Sequence, residues 1–236
     1  MNKFFSFCAM IPMLLWAAPA IQAATIDVEI INTTHNLYFT PLLVTAHSAG
    51  EHLFTLGAPA TSSLQSMAEG GDISSLLVDI GGSDADTVAN PAGGLLAPGQ
   101  ATTAALDTAA GNTLLSLVAM LIPTNDGFVG LDALEIPQAP GTYIYYLNGY
   151  DAGTEANDEL LNTVDGGVPG TAGIPADPTG AAGTGGTGVA TADSNTSVHV
   201  HRGTLGDQDP TGGRSDLDSS EHRWLNPVAK LRLTIH

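Results

Sequence analysis

Leu114-Leu-Ser-Leu-Val-Ala-Met-Leu-Ile122, then Pro123-Thr-Asn-Asp-Gly127, then Phe128-Val-Gly-Leu-Asp-Ala-Leu134 is the stretch that decides the fold class. Two apolar, strand-like runs flank a cluster of turn-forming residues. The first run is only about half the length needed to span a bilayer, so it reads as a buried strand. Working outward, Thr25-Ile-Asp-Val-Glu-Ile-Ile31 alternates, with Ile26, Val28 and Ile30 on one face. At the far end Ala229, Leu231, Leu233 and Ile235 alternate with Lys230, Arg232 and Thr234. Leu37 to Thr45 reads as a strand interrupted by Pro41, hence an edge or a bend. Leu76 to Ile80, Ala104 to Leu106, Thr142 to Leu147 and Thr196 to His201 are further strand candidates. The best helical piece is Ser62 to Glu69, closed by Gly70-Gly71. Short strands between Gly, Pro, Asn and Asp turns predict an all-β antiparallel sandwich of about eight strands. With no long amphipathic helix in the pattern, a doubly wound α/β enzyme fold is disfavoured.

The first 23 residues have the layout of a secretory signal peptide: Lys3 near the start, an apolar stretch from Phe4 to Ala20, and small residues before Ala24. Export of a single domain, residues 24–236, into the periplasm or the exterior is therefore expected. Cys8 is the only cysteine of the 236 residues and leaves with the signal, so no disulfide can form. Stability must then come from a sizeable core or a metal. The chain has 24 Asp and Glu against six Lys and Arg, a formal net charge of -18. That balance argues against a nucleic-acid partner and favours attraction of divalent cations. Residues 165–193, rich in Gly, Ala, Thr and Pro, read as a long flexible loop inserted within the domain.

Potential chemistry concentrates in two segments. Pro123 to Asp132 carries Asp126 in an Asn-Asp-Gly turn, and Tyr150-Asp-Ala-Gly-Thr-Glu-Ala-Asn-Asp-Glu159 follows a tyrosine-rich strand candidate. Asp151 and Glu155 lie four apart with Gly153 between them, so a sharp turn can aim both carboxylates at one point. Asp126 could supply a third from a neighbouring loop. Several hard oxygens converging from strand-end loops suit calcium, with carbonyls and water completing the shell. The competing reading is a set of solvated turn acids.

These residues also carry a family resemblance. Tyr38-Phe-Thr-Pro-Leu-Leu-Val44 with Ala46-His47, Leu64 to Asp72, Leu117 to Asp132, Tyr150 to Glu159 and Asn226-Pro-Val-Ala229 are together similar to the spondin N-terminal domain of the F-spondin and mindin type. The resemblance implies an eight-stranded antiparallel sandwich that serves extracellular adhesion and recognises a protein or glycan ligand. It also implies a calcium site whose ligands here would be Asp126, Asp151 and Glu155, the last standing where animal members tend to carry Asp.

Ser197-Val-His-Val-His-Arg-Gly203 forms a second cluster that the resemblance does not explain. Strand alternation places His199 and His201 on one face. With His222 they are candidate ligands for a second metal, zinc or copper, and for a metal-dependent hydrolytic enzyme. The competing reading is a half-exposed strand with locally bonded histidines. Asp207, Asp209, Asp216 and Asp218 could hold a weak calcium but lack the glycine and closing glutamate of an EF-hand loop. Asn32-Thr-Thr34 and Asn195-Thr-Ser197 match the glycosylation triplet. No nucleophile elbow, zinc-protease helix motif or phosphate loop is present. An Asp126/Glu155 acid–base pair for glycoside hydrolysis competes with calcium for the same carboxylates. The sequence thus favours a calcium-binding recognition module over an enzyme, with a structural envelope protein as a further alternative.

Overall fold

A computed structural model of the protein describes residues 23–81, 84–182, 185–192, 194–209 and 211–236; the signal-peptide reading falls on residues outside these but for Ala23. The chain forms β1 (Thr25–Asn32), β2 (Tyr38–Phe39), β3 (Leu43–His47), α1 (Ser62–Gly70), α2 (Ser74–Gly81), β4 (Asp86–Ala89) and β5 (Ala101–Asp107). It continues through β6 (Leu114–Ile122), β7 (Gly127–Glu135), β8 (Gly141–Asp151), β9 (His199–Val200) and β10 (Ala229–Ile235). Every ladder between these strands is antiparallel, in the order β4-β3-β6-β7-β8-β10-β1-β5, with β2 on β6 and β9 on β8.

Strand β8 is shared by the two halves. Its residues Gly141 to Leu147 pair with β10, and Asn148 to Asp151 pair with β7. Ile26, Val28 and Ile30 of β1 and Leu231, Leu233 and Ile235 of β10 meet Val44, Leu115, Leu117, Ala119, Leu121 and Val129 in one core. The alternation in β1 and β10 follows, because only one face of those strands is covered. The other residues of β6, Val118 and Met120, turn to a second core with Phe128, Leu64, Met67, Leu76 and Ile80. Burial on both faces is why the Leu114 to Ile122 run does not alternate.

The helices cover the outer face of β6 and β7. Thr61 accepts from Leu64 N at the start of α1, and Gly71, in the left-handed conformation, closes it with its N–H on Met67 O. The expected strand over Leu76 to Ile80 is corrected: this segment is α2. Leu76 and Ile80 are buried while Val78 is 76% exposed, a spacing of four that fits a helix and not a strand. The Leu37 to Thr45 segment is two strands, broken around Pro41 as its proline suggested. β9 is shorter than the Thr196 to His201 reading, and β4 carried no sequence signal that was read.

Candidate metal centre

Gly127 at the start of β7 pairs with Asp151 at the end of β8, which sets Asp126 and Asp151 side by side at one sheet end. Ala152 N donates to Asp126 O (3.2 Å), tying the two loops together. Asp126, Asp151 and Glu155 are all buried, at 0, 1 and 6% exposure. Asp126 Oδ2 accepts from Thr154 N (2.8 Å), Thr154 Oγ1 (3.2 Å) and Glu155 N (3.1 Å). Its Oδ1 is buried with no hydrogen-bond partner among the described residues. Burial, and then repulsion from Asp151, pushes the Asp126 carboxyl up to about 7 against those three bonds.

Glu155 repeats the pattern. Its Oε2 accepts from Gly173 N (2.9 Å) and Asn125 Nδ2 (3.3 Å), while Oε1 is buried without a partner. Burial pushes this carboxyl up to about 7, opposed by the Gly173 and Asn125 bonds and assisted by Glu69 and Asp126. Asp151 differs in being clamped: Oδ1 accepts from Gly153 N (2.8 Å) and Oδ2 from Asn157 Nδ2 (2.7 Å). The turn depends on Gly153, whose φ of +70° is strained for other residues and whose added Cβ would lie 2.7 Å from Ser197 N. Gly153→Ala is expected to cost about 2 kcal/mol in urea unfolding. A smaller cost than an exposed Gly→Ala control would show that the turn relaxes freely.

Two buried carboxylates, each with one oxygen that accepts no hydrogen bond among the described residues and each pushed toward protonation, have chemistry that a divalent cation would satisfy. Among the described residues no group of three or more His, Cys, Asp or Glu side chains is arranged so that it could hold a metal ion.

Residues 31–161, more than half of the chain, match the Spondin_N family, the spondin N-terminal domain. The chain belongs to that family. No curated protein matched the sequence. The Spondin_N match supports an extracellular module, and no helix among the described residues is long and apolar enough to cross a membrane. The matched region contains Asp126, Asp151 and Glu155, while His199, His201 and His222 lie beyond it.

Outside the Spondin_N region the three histidines take separate roles. His201 is buried, its Nδ1 accepting from Gly203 N (2.9 Å) and its Nε2 meeting Asn157 Oδ1 (3.1 Å). Both ring nitrogens are thus engaged, which leaves none for a metal. Burial, with Arg202 and His199, drives this imidazole down to about 3. His199 Nδ1 bonds Ser197 O (2.8 Å), and its Nε2 lies 3.6 Å from Asp151 Oδ2. His222 is buried elsewhere, with Nδ1 accepting from Asp218 N (3.1 Å) and Nε2 3.6 Å from Asp177 Oδ1.

The glycine-rich insertion packs against the centre through its backbone. Gly173 N reaches Glu155, Gly170 N reaches buried Glu69 (2.6 Å), and Ile174 is fully buried. Asp207 and Asp216 act as acceptors for backbone amides: Arg214 N and Ser215 N for Asp207 Oδ2, Gly186 N and Leu161 N for Asp216. Of the two glycosylation triplets, Asn32 is buried with Nδ2 donating to Leu37 O and Leu96 O, whereas Asn195 is exposed. Asn125, Asn157 and Glu69 are parts of the centre that a search for clustered acids and histidines passes over.

Proposed function

We propose that this chain is an exported calcium-binding module for adhesion or extracellular recognition, in which the ion orders the strand-end loops. The reading rests on one observation: Asp126 Oδ1 and Glu155 Oε1 are buried acceptors without donors on adjoining loops. Asp126, Asp151 and Glu155 would hold the ion after their side chains draw together, with backbone carbonyls and water completing the shell, because no three such side chains among the described residues stand ready for a metal in this arrangement. Loops ordered in this way would present the surface that meets a protein or glycan ligand. The family membership supports the same reading. Proton-transfer chemistry is not proposed, because a bound cation would occupy the carboxylates it needs.

The test is thermal unfolding in EDTA and then in calcium, beside Asp151→Asn. A ligand of the folded state at one hundred times its Kd adds about 2.7 kcal/mol. For a chain of this size that raises Tm by about 5–10 °C. The wild type is expected to show this rise and Asp151→Asn to lose most of it. An unchanged wild-type Tm at millimolar calcium removes the calcium site. A rise in Tm with ligand capture that is equal in EDTA and calcium would instead leave the metal a purely stabilising role.

A further inference from the structure

We infer that His201 and Asn157 are positioning residues that hold the Asp151 carboxylate in the orientation it presents to a divalent cation. This inference rests on the calcium reading above and explains the His-x-His segment that the acidic loops leave unexplained.

The geometry begins with the shortness of β9. The strand ends at Val200, and His201 N donates to Gly149 O (3.1 Å) as the chain turns inward. Its ring enters the interior and lies against Trp224, with centroids 4.9 Å apart and planes tilted by 37°. From there the direction of every bond is fixed. A backbone N–H can only donate, so Gly203 N makes His201 Nδ1 an acceptor, and the neutral ring carries its proton on Nε2. That proton needs an acceptor, which selects Oδ1 as the end of the Asn157 amide facing the ring (3.1 Å). The amide nitrogen is thereby turned toward Asp151 Oδ2 (2.7 Å).

A flipped amide would set NH2 against the Nε2–H and an oxygen against the carboxylate, two repulsive contacts in place of two bonds. The amide orientation is therefore dictated from both ends in a dry setting: His201, Asn157 and Asp151 are 4, 9 and 1% exposed. On the far side of the carboxylate, Gly153 N holds Oδ1 (2.8 Å). Asp151 is clamped in its plane before any ion arrives, so little side-chain freedom remains to be lost on binding. The ring stays neutral, so the relay adds no positive charge to compete with a cation. His199, two residues earlier, makes no such relay: its Nδ1–H donates to its own segment at Ser197 O.

The experiment is calorimetric titration of the purified, metal-free protein with calcium chloride, for the wild type, His201→Phe, His201→Gln and Asn157→Ala. Phenylalanine keeps a flat ring against Trp224 but removes the donor, and glutamine can restore a donor near the Nε2 position. His201→Phe and Asn157→Ala are each expected to weaken calcium binding by about 10- to 100-fold, the usual effect of losing a group behind a metal ligand. His201→Gln is expected to recover most of that loss. Asn157→Ala leaves the Trp224 packing untouched and stands in where His201→Phe fails to fold. Wild-type Kd in both His201→Phe and Asn157→Ala, even with lowered Tm in EDTA, would reduce the relay to core packing and overturn this inference alone. Absence of calcium binding in the wild type would overturn it together with the calcium reading.

Discussion

Asp126→Asn is expected to raise the Tm of the metal-free protein at pH 8 while abolishing its response to calcium. Asparagine keeps an oxygen for Thr154 N, Thr154 Oγ1 and Glu155 N, and it removes a charge that burial and Asp151 disfavour. The gain in EDTA is expected to be on the order of 5 °C, since a buried uncompensated charge costs several kcal/mol before relaxation. The effect has a pH signature. Asp126 is raised from 3.8 to about 7 and Glu155 from 4.5 to about 7 in the folded chain. Between roughly pH 4 and 7 these two carboxyls therefore bind more protons in the folded state than in the unfolded state. Their share of the metal-free protein's stability falls as pH rises through that window, whereas buried His201, lowered from 6.5 to about 3, adds stability as pH rises to about 6.5. Asp72, Asp177, Asp207 and Asp218 are lowered, so their contribution disappears only as pH falls below their ordinary 3.8, outside the window. Mutual repulsion in a chain of net charge -18 runs in the same direction as Asp126, so the difference between wild type and variant carries the assignment. Calcium competes with these protons, and its stabilisation should grow from pH 5 to pH 8. Scanning calorimetry of both proteins at the two pH values, in EDTA and in calcium, checks this. A variant that melts below the wild type in EDTA at pH 8 would show that the Asp126 charge is already compensated.

The sequence carried this arrangement unevenly, for physical reasons. Strands β1 and β10 bury one face, so their residues alternate and their period is visible. The Asn125-Asp126-Gly127 turn and the end of β8 were legible because turn residues and a tyrosine-rich run mark them. Helix α2 was misread because Leu76-Leu77-Val78 is a short apolar run, for which strand and helix periods agree until Val78 is known to face solvent. The relay from His201 to Asp151 spans 44 residues from His201 to Asn157, and no local pattern encodes such a pairing. The glycine-rich segment was the least legible. Its contributions to Glu69 and Glu155 are the backbone N–H groups of Gly170 and Gly173, and a residue without a side chain leaves no chemical mark. What reads as low complexity supplies donors to the most acidic part of the interior.

Glu159→Ala is expected to be among the most damaging single changes, although the sequence shows only one more acid in an acidic loop. Glu159 is buried and adopts a left-handed φ of 58°. Its Oε1 accepts from Leu205 N (2.6 Å), and its Oε2 accepts from Gly206 N (2.9 Å) and Ser215 Oγ (2.6 Å). Its own N–H donates to Asn125 Oδ1 (3.1 Å), and its carbonyl accepts from Asp216 N (2.8 Å). One residue thus joins the turn before β7, the loop after β8 and the segment from Leu205 to Asp216. Alanine strips the acceptor from three donors at once, and each unmade buried bond costs about 1–3 kcal/mol, for a total of about 3–9 kcal/mol. Tm should fall by roughly 10 °C or more. Glutamine keeps one accepting oxygen and should lose roughly half as much. Asp209→Ala is the contrast: Asp209 is exposed and, among the described residues, its side chain bonds Thr211 N and Thr211 Oγ1 alone, so its removal should cost under about 0.5 kcal/mol. Alanine keeps the backbone N–H that holds Asn125 Oδ1, so Glu159→Ala should damage the fold more than it damages calcium binding. Equal melting of Glu159→Ala and Asp209→Ala would show that water replaces Glu159 at no cost, and that the loops are held apart from it.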